Sequence, residues 1–108
     1  MGKTGARYSD EITEVVEDFA DAVAPLGEIT WRKMFGGACI YCEGKMFALV
    51  DSEAQLHLKV DDRNRARFEG AGSAKLDRMP YYTVPDAVAD DDATLLDWAR
   101  ESMDIATG

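Results

Sequence analysis

Three groups of residues are of the types and spacings that carry chemistry. Cys39-Ile40-Tyr41-Cys42 is a Cys-x-x-Cys pair, a spacing used by dithiol redox centres and by zinc sites. A redox pair wants its first thiol at a helix N-terminus, where peptide dipoles stabilise the thiolate. Here the surrounding residues read as a strand, on which positions three apart point to opposite faces. Two cysteines packing as small apolar residues is the plainer reading. A zinc site would recruit His57, the one histidine, and would still lack a fourth ligand. Cys39, Cys42 and His57 thus make an incomplete metal or thiol set. His57 falls on the polar side of an alternating strand, with no nucleophile arranged beside it, and reads as a surface or rim histidine. No catalytic constellation emerges, so the expectation is a non-enzymatic chain without a cofactor.

The second group is basic. Arg63, Arg65 and Arg67, with Lys59 before them and Lys75 and Arg78 after, form an island in an acidic chain. Arg63 and Arg67 share one helix face. The island fits an acidic partner or a phosphate, and equally a solvated face balanced by Asp61, Asp62 and Glu69. The third group is Arg32-Lys33-Met34-Phe35-Gly36-Gly37. On an alternating strand Ile29, Trp31, Lys33 and Phe35 share one side, and Thr30, Arg32 and Met34 the other, so each side mixes a cation with apolar residues. One reading is an interaction patch built from Arg32, Met34, Phe35 and the Gly36-Gly37 turn, since Met and Arg are both common at interfaces. The other pairs Arg32 with an acid of the first helix. Gly36-Gly37 itself lacks the frame of a phosphate loop and reads as a tight turn or bulge. Asp90-Asp91-Asp92 lacks the alternating ligands and glycine of a calcium loop and reads as helix-start charge.

These residues are positioned by a stretch of four short strands, over 29–35, 38–42, 45–50 and 55–60. The breaks are Gly36-Gly37, Glu43-Gly44 and Asp51-Ser52-Glu53, all turn-forming types. Connections this short permit only antiparallel pairing. The fourth strand alternates Leu56, Leu58 and Val60 against Gln55, His57 and Lys59. The third loads both faces with apolar residues, which asks for cover on both sides or for a second molecule; a homodimer through 45–50 is one way to supply it. Before the strands, Ser9 reads as the cap of a helix whose stripe is Ile12, Val15, Val16, Phe19 and Val23, stopped by Pro25 and Gly27. Residues 1–8 read as a mobile lead-in and 9–108 as one domain. After the strands come a short helix over 63–69 capped by Asp61 or Asp62, an irregular stretch, and a proline-bounded edge strand over 80–85. An acidic connector over 86–92 follows. A last helix, over 95–106, presents Leu95, Trp98, Ala99, Ser102 and Met103, with Thr94 and Asp97 matching a capping pattern. The expected fold is α+β, in the order α-β-β-β-β-α-β-α: a two-layer domain whose antiparallel sheet, a four-strand meander plus an edge strand, is packed by the N- and C-terminal helices.

The bulk composition narrows the function classes. A chain of 108 residues is one domain, and two cysteines do not make a disulfide scaffold. A net charge of −9 repels a polyanion, so direct nucleic-acid binding is not expected. Without a secretory leader or an apolar run of about 20 residues, a cytoplasmic location away from the membrane is expected.

Arg32-Lys33-Met34-Phe35-Gly36-Gly37 resembles the signature of the TfoX N-terminal domain, the first half of the TfoX/Sxy regulators of bacterial competence. The resemblance runs on through Gly44-Lys45-Met46-Phe47, Leu56-His57-Leu58-Lys59-Val60-Asp61, Asn64-Arg65-Ala66-Arg67-Phe68 and Tyr81-Tyr82-Thr83-Val84-Pro85, and closes with 95–100. It implies a two-layer α+β fold similar to secretion-chaperone folds. It also implies a part in transcriptional control through protein contacts, alongside the cyclic-AMP receptor protein. The sequence departs from the family at Cys39 and Cys42, where aliphatic residues or glycine are usual, and ends without the C-terminal helical domain of fuller regulators. The resemblance adds weight to Arg32, Met34, Phe35, Gly36 and Gly37 as interaction residues, beside the basic candidates Lys59, Arg63 and Arg67.

Overall fold

The computed structural model describes residues 4–34 and 36–108, and side chains from residue 11 onward. Helix α1 spans Thr4–Val23. Ser9 therefore lies inside the helix and not at its start, and residues 4–8, expected as lead-in, are helical. Ala6 and Arg7 are strong helix formers that outweigh Gly5. Ile12, Val16, Phe19 and Val23 are buried on one stripe while Glu14, Glu17, Asp18 and Asp21 stay exposed, which is the three-and-four spacing at work. A single 3₁₀ turn, Ala24–Leu26, carries the chain off the helix through Pro25.

The sheet has five strands in sequential order: β1 (Ile29–Met34), β2 (Gly37–Cys42), β3 (Lys45–Val50), β4 (Leu56–Lys59) and β5 (Tyr81–Thr83). Every neighbouring pair is antiparallel, as the short connections require. Helix α2 (Arg65–Gly70) lies between β4 and β5, while α3 (Asp86–Ala89) and α4 (Asp92–Thr107) follow β5. The expected α+β order holds, with α3 as one extra turn inside what reads in the sequence as a connector.

One face of the sheet carries Ala38, Ile40, Cys42, Ala48, Val50, Leu56, Leu58 and Tyr82, packed with the stripes of α1 and α4 into one core. Strand β3 contributes Phe47 as well, because the register shifts there: Ile40 pairs with Ala48 but Tyr41 with Met46. The extra residue is a β-bulge, and it puts Phe47 against Phe19 of α1 at a centroid distance of 5.7 Å. Phe68 is the one buried side chain of helix α2, and it lies 4.8 Å from Trp98 and 6.0 Å from Tyr82 between ring centroids. Beneath it sits a buried polar joint. Asn64 Nδ2 donates to the Lys59 carbonyl at 3.1 Å, and Ser102 Oγ donates to that same oxygen at 2.7 Å. Asn64 Oδ1 accepts from the Asp61 amide at 2.9 Å. The buried carbonyl accepts from two donors and the Asn64 amide is bonded at both its nitrogen and its oxygen, so the joint ties α2 and α4 to the end of β4.

Two helix starts differ from expectation. Asp61 accepts from the Arg63 amide in the preceding turn, while α2 itself begins after Asn64, whose side chain is spent on the joint. At α4 the cap is Asp91, whose carboxylate accepts from the Thr94 amide at 3.0 Å. Thr94 also donates its hydroxyl to Asp91, so it serves the cap and is not the cap. Asp91 is held below the usual carboxylate range by these donors, the hydroxyl foremost. Among the described residues no helix is long and apolar enough to cross a membrane.

Candidate functional site

The second face of the sheet is where the singled-out residues lie. Paired residues share a face, so the ladder Arg32–Cys39–Leu49–His57–Thr83 runs across it from β1 to β5. Thr30 with Tyr41, Tyr41 with Met46, and Lys59 with Tyr81 belong to the same face. The half over β4 and β5 is closed by the chain itself. Residues 74–76 return along β5, with the Thr83 amide donating to the Ala74 carbonyl at 2.9 Å and the Leu76 amide to the Tyr81 carbonyl at 2.8 Å. The proline-bounded strand is therefore not a free edge, because the stretch that reads as irregular covers it.

The reading of His57 as a surface histidine does not hold. Its exposure is 2%. The ring Nδ1 donates to the Gln55 carbonyl at 3.0 Å, which leaves Nε2 without its proton in the neutral ring. Burial pulls its pKa below the ordinary histidine value. Tyr81 is buried beside it on the same face, and burial pushes its phenol up to about 12. Its hydroxyl donates to the Met46 carbonyl at 3.4 Å.

The metal or thiol alternative does not assemble. Cys42 faces the core with Ile40, while Cys39 faces the other way with Leu49 between it and His57. Both thiols are free and both are pushed up by burial, Cys39 against the pull of Arg32, so neither is an activated thiolate. Among the described residues no three His, Cys, Asp or Glu side chains converge as a metal site.

The half of this face over β1 to β3 stays open as an apolar groove of about 380 Å³. Met34, Cys39, Tyr41, Met46 and Leu49 line it from the sheet, and Leu76 and Met79 from the stretch after α2. Met34 and Met79 are the two large apolar side chains most exposed among the described residues, at 36% and 42%. Gly37 closes one end because its Cα lies so near β3 that an added Cβ would stand 2.1 Å from the Val50 carbonyl oxygen. Gly36 makes the turn with φ +79°, the left-handed region that glycine enters freely. Phe35, the remaining residue of the expected patch, lies outside the described residues.

Arg32 lies outside the lining of the groove but next to it, its guanidinium 5.7 Å from the ring centroid of Tyr41, which lines it. It is exposed and pairs with none of the described acids of the first helix. Among the described residues no carboxylate lies within ion-pair reach of it. The arginines of the basic island differ. Arg63 pairs with Asp61 at 2.8 Å, Arg65 with Asp62, and Arg67 with Asp97 and Glu101 at 3.5 and 3.0 Å. Arg67 also stacks on Trp98 at 5.2 Å. Lys59 lies over Tyr81 at 5.4 Å. The three arginines of α2 and the turn before it are thus paired with acids of the chain, and the candidates Arg63 and Arg67 do not join Arg32 in one site.

A larger cleft of about 610 Å³ lies between α1 and the segment running from α3 into α4. Asp18, Asp21, Asp86, Asp90 and Asp92 line it with no basic residue, so it repels anions. The groove was missed by sequence reasoning at Leu76 and Met79, which sit in a stretch with no periodicity, and only the both-faced apolar loading of β3 signalled that something lay above it.

Comparison with known proteins places this geometry in a lineage. The family model described as TfoX N-terminal domain matches residues 21–106. The DNA transformation protein TfoX1 of Aliivibrio fischeri (strain ATCC 700601 / ES114) is 28% identical over 102 residues, an alignment covering 87% of this chain and 48% of the relative. The chain thus spans about half the length of that relative. The match takes in all five strands, the groove and the last helix, and on it the chain belongs to the TfoX N-terminal domain family.

Proposed function

We propose that this domain is a non-enzymatic protein-contact module of a competence or transcription regulator, working in the cytoplasm through its methionine-lined groove. The observation that carries the reading is an open apolar groove with two exposed methionines and, beside it, an arginine that pairs with no acid among the described residues. Methionine adapts to irregular apolar partners, and apolar centres with arginine at the margin are the usual composition of contact surfaces. The name of the Aliivibrio relative, a DNA transformation protein, supports the link to competence. Transcription machinery such as the cyclic-AMP receptor protein is the partner the family resemblance nominates. Contact with DNA by this chain alone is disfavoured by its net charge of −9 and by the pairing of its arginine island with its own acids.

The test is capture of the receptor protein, or of another partner from a transformable bacterium, by the native chain and by Met34→Glu with Met79→Glu. Loss of capture with an unchanged thermal melt supports the reading. Capture that survives both changes moves the contact elsewhere. A gel-shift at physiological salt should give no sequence-specific retardation. Light scattering separates the homodimer alternative, in which two copies would meet through Met46 and Leu49.

A further inference from the structure

The two edges of the sheet are not alike. Beyond β5 the chain closes its own edge with residues 74–76. Strand β1, at the other end, has no strand on its outer side among the described residues. Its first bonds fix which groups face outward. The Glu43 amide donates to the Glu28 carbonyl at 2.9 Å, so Glu28 belongs to a hydrogen-bonded pair. Bonded and open positions alternate along an antiparallel ladder. Thr30, Arg32 and Met34 thus turn their main-chain groups toward β2, while Ile29 and Trp31 present N–H and C=O outward. The side chains of Arg32 and Met34 meanwhile stand on the groove face, so edge and groove meet along one strand.

We propose that edge and groove are one site, which takes an extended acidic segment of a partner protein as a sixth strand on β1. This rests on the contact-module reading and specifies its occupant. The main chain of the segment would bond the outward groups of Ile29 and Trp31, and every second side chain would fall on the groove side next to Met34. Strand addition takes affinity from the main chain and specificity from alternate side chains. Six residues of β1 offer about 20 Å of edge. The charge of the segment follows from Arg32, which has no carboxylate partner among the described residues. A cationic edge discourages indiscriminate pairing and selects Asp and Glu. A second copy fits less well. Two-fold pairing of β1 centred on Arg32 or on Lys33 sets that cation against itself, and like charges directly opposite destabilise a ladder.

The probe is a displayed random decapeptide library, selected on the native chain and on Arg32→Glu. Winners should alternate apolar and acidic residues with a period of two. A synthetic winner should lose at least tenfold in affinity when alternate amides are N-methylated, and should lose as much on Arg32→Glu. On binding it should slow hydrogen exchange at the Ile29 and Trp31 amides. Winners with three- and four-residue apolar spacing, tolerant of N-methylation and lost on Met34→Glu, overturn strand addition while the groove stays a contact face. A β1-mediated dimer by light scattering, broken by Arg32→Glu or not, overturns the acidic occupant. No enrichment on the native chain overturns both the sixth strand and the contact reading.

Discussion

Replacing Gly37 by alanine tests the packing that shapes the groove, and its cost can be set against two other glycines. A Cβ at Gly37 would stand 2.1 Å from the Val50 oxygen and 3.0 Å from the Asp51 carbonyl carbon. Both neighbours are backbone and cannot rotate away, so β2 and β3 must separate by about 1 Å where Ala38 pairs with Val50. Overpacking costs about 1–3 kcal/mol, and with no side chain to yield the upper end applies. Gly36 and Gly44 have φ +79° and +82°. At Gly44 a Cβ meets nothing within 4 Å, and at Gly36 only Ser52 Cβ at 3.4 Å. Their alanine variants carry just the left-handed cost, about 1–2 kcal/mol. In urea unfolding, Gly37→Ala should lose about 3 kcal/mol, and Gly36→Ala and Gly44→Ala about 1 kcal/mol each, with m unchanged. A Gly37→Ala variant no worse than Gly44→Ala would refute the close approach of the two strands and with it the closed end of the groove.

Further consequences can be measured on the isolated chain. His57 is disfavoured as a cation in the fold, so below the unfolded value near 6.5 the unfolded chain takes up a proton that the folded one refuses. Stability should therefore fall from pH 7.5 to 5.5, with a ceiling of about 1.4 kcal/mol per pH unit, and His57→Gln should flatten that slope; an unchanged slope would return His57 to solvent. Asp91→Ala should cost about 1 kcal/mol by removing the α4 cap, seen as a lower urea midpoint, whereas Asp90→Ala should cost next to nothing. With a thiol reagent at pH 7 the native chain should react slowly at Cys39 and not at all at Cys42 until it is unfolded, and a fast native thiol at either position would reopen the redox reading.

The meander was legible because its turn residues fall at spacings that leave only antiparallel pairing, and α1 because Ile12, Val16, Phe19 and Val23 keep one helical face. Long-range cover was not. Gln55, His57 and Lys59 alternate as a solvent face would, yet His57 is buried, and the stretch that returns along β5 over 74–76 carries no period. Arg32 was recognisable as a cation in an apolar strand, but its side of the sheet depended on which face α1 would take. The pairing of Arg67 with Glu101 joins residues 34 apart, a distance at which sequence charge pattern carries no information.

The central claim is that a protein partner seats in the groove over β1 to β3, and methionines already mark that groove. With ¹³C-methyl methionine in the native chain, titration of the captured partner should shift or broaden the Met34, Met46 and Met79 signals together. Met103, on α4 across the sheet, should stay in place. Movement of Met103 with the other three unmoved would contradict the account.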